Sequence, residues 1–306
     1  MDLNRRRFLQ FLGAGAVGGI STAVTPAEAS SVENISDGYG VLVDTTECIG
    51  CRKCEFACNR EHHLTDLPLE RYEDTSVFET ERWLQANAYT VVNRHPNPEN
   101  AAKPTFVKSQ CLHCLDPACA SACLVGALQR QENGAVTYDA WKCMGCRYCM
   151  VACPFQVPAY EYGNALTPQV RKCTFCASRT AQEGGLPACV EMCPQNCLTY
   201  GKRSELLALA HEKIAGNPEL YQDHVYGESE AGGTSWLYLA ARPFTELKFQ
   251  DIGPEPIPHL TETIQHSIFK FGALPLMLYG MLGAVMRIAK GGHGRHAETT
   301  AEEEVS

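Results

Sequence analysis

The chain lacks the features that mark several large classes of function. Nowhere do clustered Lys and Arg residues alternate with aromatic residues, and the formal net charge is −9, so nucleic acid is not an expected partner. No nucleophile with a matching base and no open metal position can be identified, so an enzyme with its own active site is not expected. Apolar residues make up an ordinary 45% of the 306 residues, a length that suits one or two domains.

Cysteine is the exception to this ordinary composition. Sixteen of the seventeen cysteines form four quartets, and the third, C-x2-C-x2-C-x3-C followed by Pro154, has the spacing of a bacterial ferredoxin. The quartets are Cys48, Cys51, Cys54 and Cys58; Cys111, Cys114, Cys119 and Cys123; Cys143, Cys146, Cys149 and Cys153; and Cys173, Cys176, Cys189 and Cys193. Because no ligand position is missing, the sequence predicts four [4Fe–4S] clusters with these sixteen cysteines as metal ligands.

Other uses of the cysteines fit this spacing less well. A disulfide framework has no reason to repeat one spacing four times, and zinc sites usually combine two separated C-x2-C pairs. Three quartets instead place four cysteines within 11 to 13 residues. Cys197 lies outside the quartets and occupies the place that Ala127 holds after the second one, so it is interpreted as a small core residue. His113, between two predicted ligands, is interpreted as a loop residue.

The order of the quartets predicts an α+β fold of two ferredoxin-like units, each holding two [4Fe–4S] clusters. Residues 126–130 and 135–138 flank Asn133-Gly134, a pattern that indicates a β-hairpin between the second and third quartets. Quartet, hairpin and quartet is the plan of a two-cluster ferredoxin. The first and fourth quartets are expected to form a second unit, and a short apolar strand, Val41–Val43, leads into it.

The chain is expected to divide into six segments. They are a twin-arginine signal peptide at 1–29, a split first ferredoxin-like unit at 40–60 and 165–203, a second unit at 104–160, a C-terminal extension at 204–262, a transmembrane helix at 267–289 and a cytoplasmic tail at 290–306. Residues 59–110 are interpreted as a packing insertion with a strand at Tyr89–Asn93. Residues 204–215 are expected to form an amphipathic helix that covers the core, with Leu206, Leu207, Ala210 and Ile214 on one face.

The N-terminus has the pattern of an export signal. Three arginines at 5–7 precede Phe8-Leu9, a glycine-rich apolar stretch follows, and Ala27-Glu28-Ala29 resembles a cleavage site. The paired arginines are typical of the twin-arginine route. Within this segment Gly13-x-Gly15-x-x-Gly18 matches a dinucleotide fingerprint, but no strand precedes it and no βαβ unit surrounds it, so the match is rejected.

The C-terminal region contains a long uncharged run that is rich in apolar residues. Residues 271–286 carry no charge, and counting from Ser267 gives twenty residues with Lys270 alone near one end. Twenty helical residues span about 30 Å, roughly the thickness of the hydrocarbon layer. Arg287, Lys290 and Arg295 follow, so the positive-inside rule puts the tail in the cytoplasm and the body on the periplasmic side. The alternative is a short buried or interfacial helix.

Two runs of the sequence carry a resemblance to a known family. Residues 143–154 (CMGCRYCMVACP) and 185–194 (GLPACVEMCP) resemble the four-cluster iron–sulfur subunits of respiratory oxidoreductases, and the resemblance covers roughly residues 40–290. Those subunits include the β subunits of molybdopterin enzymes and the electron-transfer subunit of hydrogenase-2-type membrane-bound [NiFe] hydrogenases. The signal, the C-terminal helix and the runs at 225–234 and 264–266 are most similar to the hydrogenase branch.

The resemblance implies which cysteines share a cluster. One cluster would be held by Cys48, Cys51, Cys54 and Cys193; its partner by Cys58, Cys173, Cys176 and Cys189; a third by Cys111, Cys114, Cys119 and Cys153; and the fourth by Cys123, Cys143, Cys146 and Cys149. It also implies a non-catalytic subunit that relays electrons between a periplasmic catalytic partner, the hydrogenase small and large subunits, and an integral membrane subunit that reacts with quinone. The alternatives are the β subunit of a molybdopterin oxidoreductase, such as formate dehydrogenase or a sulfur-compound reductase, and a soluble periplasmic ferredoxin.

Overall fold

Short strands and helices joined by long loops build the body of the protein. The structure is a computed structural model, and it describes residues 37–98, 100, 102–259 and 277–287. The strands are β1 (Tyr39–Asp44), β2 (Val91–His95), β3 (Thr105–Ser109), β4 (Leu128–Arg130), β5 (Val136–Tyr138), β6 (Ala159–Tyr160), β7 (Val170–Arg171), β8 (Leu198–Lys202) and β9 (Trp236–Leu239). The helices are α1 (Lys53–Glu61), α2 (Ala118–Ser121), α3 (Tyr148–Ala152), α4 (Ala177–Thr180), α5 (Ala188–Glu191) and α6 (Arg203–Gly216), with 3-10 turns at Leu69–Tyr72, Thr75–Glu79 and Glu230–Gly232.

β1 is the central strand of a three-stranded sheet in the order β8-β1-β9. It pairs antiparallel with β8 and parallel with β9, with Val41 opposite Tyr200 on one side and Trp236 on the other. Alternate residues of a strand face opposite sides of the sheet. Val41 and Val43 pack in the core that contains cysteines, whereas Leu42 packs against α6. Because both faces are buried, the strand is an unbroken apolar run, and the strand predicted at 41–43 is confirmed.

The pairing of β1 with β8 brings the first and fourth quartets together. β1 ends shortly before Cys48, and β8 begins shortly after Cys193, so antiparallel pairing places both cysteine segments at the same end of the sheet. α1, which carries Cys54 and Cys58, packs against α5, which carries Cys189. One ferredoxin-like unit is therefore assembled from two distant stretches of chain.

The second and third quartets form a unit from one continuous stretch. β4 and β5 pair antiparallel, with Leu128 opposite Tyr138, so the predicted hairpin is confirmed. α2 and α3, which follow the first cysteines of each quartet, pack against each other. Leu128 and Val136 of the hairpin are buried with Cys119 and Cys149 in one apolar cluster. The hairpin thus packs against the cysteines of the second unit and forms one side of its core.

A buried carboxylate fixes the insertion at 59–110 to the first quartet. β2 and β3 form an antiparallel hairpin, and Glu55 of α1 accepts a hydrogen bond from the Val92 amide at 2.6 Å. Glu55 also forms ion pairs with Arg82 at 2.6 Å and with Arg52 at 3.1 Å. The predicted strand at 89–93 exists as β2, displaced by two residues. The insertion therefore packs directly on the helix that carries two of the cysteines.

α6 covers the opposite face of the central sheet. Leu206, Ala210 and Ile214 are buried and Leu207 is partly buried, as the helical spacing predicts. The helix begins at Arg203, one residue before the predicted start.

Asp44, the last residue of β1, ties the sheet to α6. Its carboxylate accepts hydrogen bonds from Lys213 Nζ at 2.7 Å, Tyr221 OH at 2.8 Å and Thr46 Oγ1 at 2.6 Å. Burial alone would raise the pKa of Asp44, but these hydrogen bonds outweigh burial and hold the pKa below its ordinary 3.8. The loop that carries the first quartet therefore follows a strand end that Asp44 fixes in place.

The predicted signal peptide and cytoplasmic tail lie outside the described residues. The predicted transmembrane helix at 267–289 lies largely outside them too, and residues 277–287, the part that is described, are helical with exposed side chains. Within the described ranges, no helix has both the length and the apolar character needed to cross a bilayer.

Candidate iron–sulfur centres

Left-handed backbone shapes the loops of the first and third quartets. Gly50 and Gly145 have φ angles of 70° and 75°, and each lies two residues after the first cysteine of its quartet. Arg52 and Arg147, with φ angles of 58° and 61°, immediately precede α1 and α3 as their N-cap residues. A Cβ atom at Gly50 would meet the ring of Phe106 at 2.4 Å, so glycine is required there both for its φ angle and for space. These turns wrap the loop around one point, as a cluster requires.

Two aromatic residues replace glycine in the second and fourth loops. His113 and Phe175 adopt φ angles of 50° and 59°, and their rings lie 4.9 Å apart. Both are almost completely buried. Burial lowers the pKa of His113 well below 6.5, so its ring is neutral. His113 does lie in a loop, but it is a core residue that packs the second loop against the fourth.

The first of four cysteine groups lines a pocket at the edge of the central sheet. Its members come from two quartets, and we call this set group one: Cys48, Cys51, Cys54 and Cys193. Lys108 and the seventeenth cysteine, Cys197, line the same pocket. The last cysteine of the fourth quartet therefore lies with the first three cysteines of the first quartet.

The reciprocal exchange places Cys58 with the fourth quartet. Burial raises the pKa of Cys58 well above the ordinary 9.0, and the neighbouring charges of Cys173, Cys189 and Cys176 raise it further. These four cysteines form group two. The structure thus brings together a last cysteine and three cysteines that lie more than a hundred residues later in the chain.

The second unit shows the same exchange. Burial raises the pKa of Cys114, and the neighbouring charges of Cys111, Cys153 and Cys119 raise it further. Burial raises the pKa of Cys149 to about 11, with further contributions from Cys143, Cys146 and Cys123. Group three is Cys111, Cys114, Cys119 and Cys153, and group four is Cys123, Cys143, Cys146 and Cys149. These four groups are the sets implied by the family resemblance.

The spacing of these thiols differs from that of a single-ion site. All seventeen cysteines are free thiols. Among the residues that the structure describes, no three His, Cys, Asp or Glu side chains are arranged to hold one metal ion. In a [4Fe–4S] cluster each cysteine binds a different iron, so the four sulfur atoms surround the cluster and need not converge on one atom.

The surroundings of the sulfur atoms fit such clusters. Backbone amides donate to cysteine sulfur, for example from Ala127 to Cys123 at 3.1 Å, from Gly145 to Cys143 at 3.4 Å and from Phe175 to Cys173 at 3.4 Å. Amide donors of this kind stabilise thiolate ligands and tune their cluster. Trp236, buried in the core that contains cysteines of groups one and two, has an indole Nε1 with no partner in the described part of the chain, and a cluster sulfur is a suitable acceptor.

Burial also affects the protonation of the cysteine thiols. It raises the pKa of Cys119 and Cys173 to about 12, with smaller contributions from neighbouring charges. At neutral pH these two cysteines are therefore protonated before loading. Since iron binds thiolate, loading a cluster must release their protons.

Cys197 has a closer relation to the ligands than its sequence position indicated. It is buried in the core, as predicted, but its Sγ lies 3.4 Å from Cys193 Sγ. The hydrogen bond from Cys197 lowers the pKa of Cys193 to about 5, against the opposing effect of burial. Sequence reasoning missed this contact, for which the only signal was a cysteine four residues after a ligand.

One group reaches the protein surface. Cys146 is exposed, whereas the remaining quartet cysteines are buried or partly buried. The same segment carries exposed apolar side chains at Trp141, Met144, Tyr148 and Val151. Group four is thus the group with the most direct access to a second molecule.

Comparison with known proteins identifies the type of domain that the quartets belong to. Two models of the 4Fe-4S dicluster domain match residues 47–127 and 102–203. A protein of Nitratidesulfovibrio vulgaris is 46% identical over 293 residues, covering 94% of this chain and 78% of the relative. The hydrogenase-2 operon protein HybA of Escherichia coli O157:H7 is 33% identical over 329 residues, covering 95% of this chain and 97% of the relative.

A further relative comes from another branch. The iron–sulfur subunit of the nitrate-inducible formate dehydrogenase of Escherichia coli K12 is 32% identical over 223 residues, covering 72% of this chain and 73% of the relative. The two dicluster domains account for four [4Fe–4S] clusters. This chain therefore belongs to the family of four-cluster, ferredoxin-like iron–sulfur subunits of respiratory oxidoreductases, and it is an electron-transfer subunit.

Proposed function

We propose that this chain relays electrons between a periplasmic [NiFe] uptake hydrogenase and an integral membrane subunit that reacts with quinone. Groups one to four would each hold one [4Fe–4S] cluster, and the bound clusters supply the one-electron carriers. The chain's own residues hold the clusters, exclude water from most of them and set their electrostatic surroundings. In this proposal the chain has no substrate chemistry of its own.

The exchange of fourth cysteines is the observation that carries the proposal. Cys193 lies in group one and Cys58 in group two, while Cys153 and Cys123 are exchanged in the second unit. Each unit therefore ties two cluster positions together through the chain. Such an arrangement supports a row of adjacent carriers rather than four independent centres.

The similarity to HybA favours a hydrogenase as the partner. That relative is matched over almost its whole length, whereas the formate dehydrogenase subunit is matched over about three quarters. The exposed surface beside group four gives electrons a place to enter or leave the chain.

The location of the chain forms part of the same proposal. The arginines at 5–7 support export by the twin-arginine route, and the uncharged run at 271–286 supports an anchor in the cytoplasmic membrane. The body would then lie on the periplasmic side. Replacing the three arginines with lysine keeps the charge and should block export, and alkaline carbonate should leave the mature protein in the membrane. Periplasmic recovery of the lysine variant, or release by carbonate, would contradict these two points respectively.

The partner can be identified directly. The full-length chain is purified from native membranes in mild detergent, and the co-purifying proteins are analysed for nickel and molybdenum. We expect nickel, and we expect hydrogen gas but not formate to reduce the clusters as seen by electron paramagnetic resonance (EPR). A co-purifying molybdenum protein, together with reduction of the clusters by formate, would instead identify the catalytic partner as a molybdopterin enzyme. Recovery of the chain without any catalytic partner would favour the free ferredoxin.

A further inference from the structure

Lys108 places a buried positive charge beside two cysteine groups. It lies on β3 in the insertion, is 2% exposed, and lines the pocket of group one. Cys54 of group one and Cys189 and Cys173 of group two are among its electrostatic neighbours. Cysteines that bind iron do so as thiolates, and in that state their negative charge favours the protonated form of the Lys108 amine. The ammonium group is therefore charged when these groups hold clusters.

The direct contacts of Lys108 are neutral. Its Nζ donates to Gln110 Oε1 at 2.7 Å and lies 4.2 Å from the ring centroid of Trp236. Gln110 in turn donates to Tyr238 OH at 2.6 Å, and Tyr238 OH donates to the Lys108 carbonyl at 2.9 Å. These contacts fix the position of the ammonium group without neutralising it.

No carboxylate within the described ranges forms an ion pair with Lys108. Glu55, the nearby buried acid, is already paired with two arginines. A buried cation without an anion is strongly destabilising. The counter-charge must therefore come from the sulfur-rich side of the pocket, where thiolates bind iron.

We propose that Lys108 is a tuning residue whose fixed charge raises the midpoint potentials of the clusters held by groups one and two. Adding one electron to a cluster adds one negative charge, and a nearby cation in a water-poor interior favours that state. The electron comes from the relay itself, and no bond is made or broken. This inference rests on the proposed function, because it takes groups one and two as cluster ligands.

The test is an EPR-monitored redox titration of the full-length, anaerobically purified, cluster-loaded protein. Lys108→Gln and Lys108→Met remove the charge, and glutamine can still bond to Gln110. In both variants we expect two of the four potentials to fall by about 59 mV or more, which is a tenfold change in a one-electron equilibrium. Lys108→Arg keeps the charge and should restore the original values.

Lys202 offers a matched control. Its Nζ also lies 4.2 Å from an aromatic ring centroid, that of Tyr39, but it is bonded to the Asp37 carbonyl at the outer end of β8. Lys202→Met should therefore leave all four potentials unchanged.

The possible outcomes separate the tuning role of Lys108 from the proposed function of the chain. Unchanged potentials in a fully loaded Lys108→Gln protein, or an equal shift of all four, would overturn the tuning role and leave the ligand groups standing. If only the wild type and the arginine variant take up their clusters, the result supports a requirement for a positive charge at position 108. If the arginine variant loses its clusters as well, the requirement for a charge is rejected. A wild-type protein without four clusters would instead reject the proposed function.

Discussion

The exchange of the fourth cysteines between quartets can be tested by counting intact clusters in double variants. Cys58→Ala and Cys173→Ala each remove one proposed ligand from group two. Because both thiols serve one cluster, the double variant should keep three intact clusters of the four, as each single variant does. Cys48→Ala combined with Cys58→Ala removes two cysteines of one quartet but of different groups, so this double variant should keep only two.

The expected difference is large enough to measure. Four clusters correspond to about 16 irons, so the intact fraction should fall to about three quarters in the Cys58/Cys173 pair and to about half in the Cys48/Cys58 pair. Iron analysis with quantified Mössbauer and reduced-state EPR spectra gives this fraction, and it separates intact clusters from three-iron remnants. If the Cys48/Cys58 pair keeps three clusters and the Cys58/Cys173 pair keeps two, each quartet holds its own cluster and the reasoning from the structure is refuted.

Three further variants probe the supporting structure. Gly50→Ala should destabilise the loaded protein by about 2 to 4 kcal/mol, because alanine would be strained in the left-handed conformation and its Cβ would clash with the Phe106 ring. The control is Gly163→Ala, where nothing lies within 4 Å and the denaturation midpoint should barely move. Equal shifts of the midpoint in the two variants would contradict the argument. Asp44→Asn should cost about 2 kcal/mol at neutral pH. Because the pKa of Asp44 is lowered, this stabilisation is present above pH 3.8 and lost as the pH falls below it, so a gap between wild type and variant that stays constant down to pH 3 would be incompatible. Cys197→Ala should keep all four clusters, and the loss of one would make Cys197 a ligand.

Local features of the fold could be predicted because their signals lie within short stretches of sequence. The hairpin around Asn133-Gly134, the strand at 41–43 and the amphipathic helix after Ser204 each depend on residues next to one another. The glycines in the two C-x-G-C runs have the positive φ angles that such tight loops need. The family resemblance supplied the grouping of the cysteines, and the structure brings the same sets together.

The features that the sequence did not reveal depend on contacts between distant segments. Lys108 is one cation in a strand, and its place beside group one follows only from how β3 packs. His113 looked like an ordinary loop residue because its partner, Phe175, lies in another quartet. Glu55 carries no pattern that distinguishes it from a solvated acid, although it pairs with two arginines in the interior. Charge and polarity in a core have no periodicity that a sequence can show.

The pairing of β1 with β8 has a consequence for biosynthesis. A ribosome releases the thiols of the first quartet well before those of the fourth, so groups one and two are incomplete until about residue 193 has emerged. The stretch that holds groups three and four, by contrast, is finished by residue 153. The ligand sets thus become complete in a fixed order, with the continuous unit first and the interleaved unit last. A cluster held by all four cysteines of group one or two can form only after the last of those cysteines has been made.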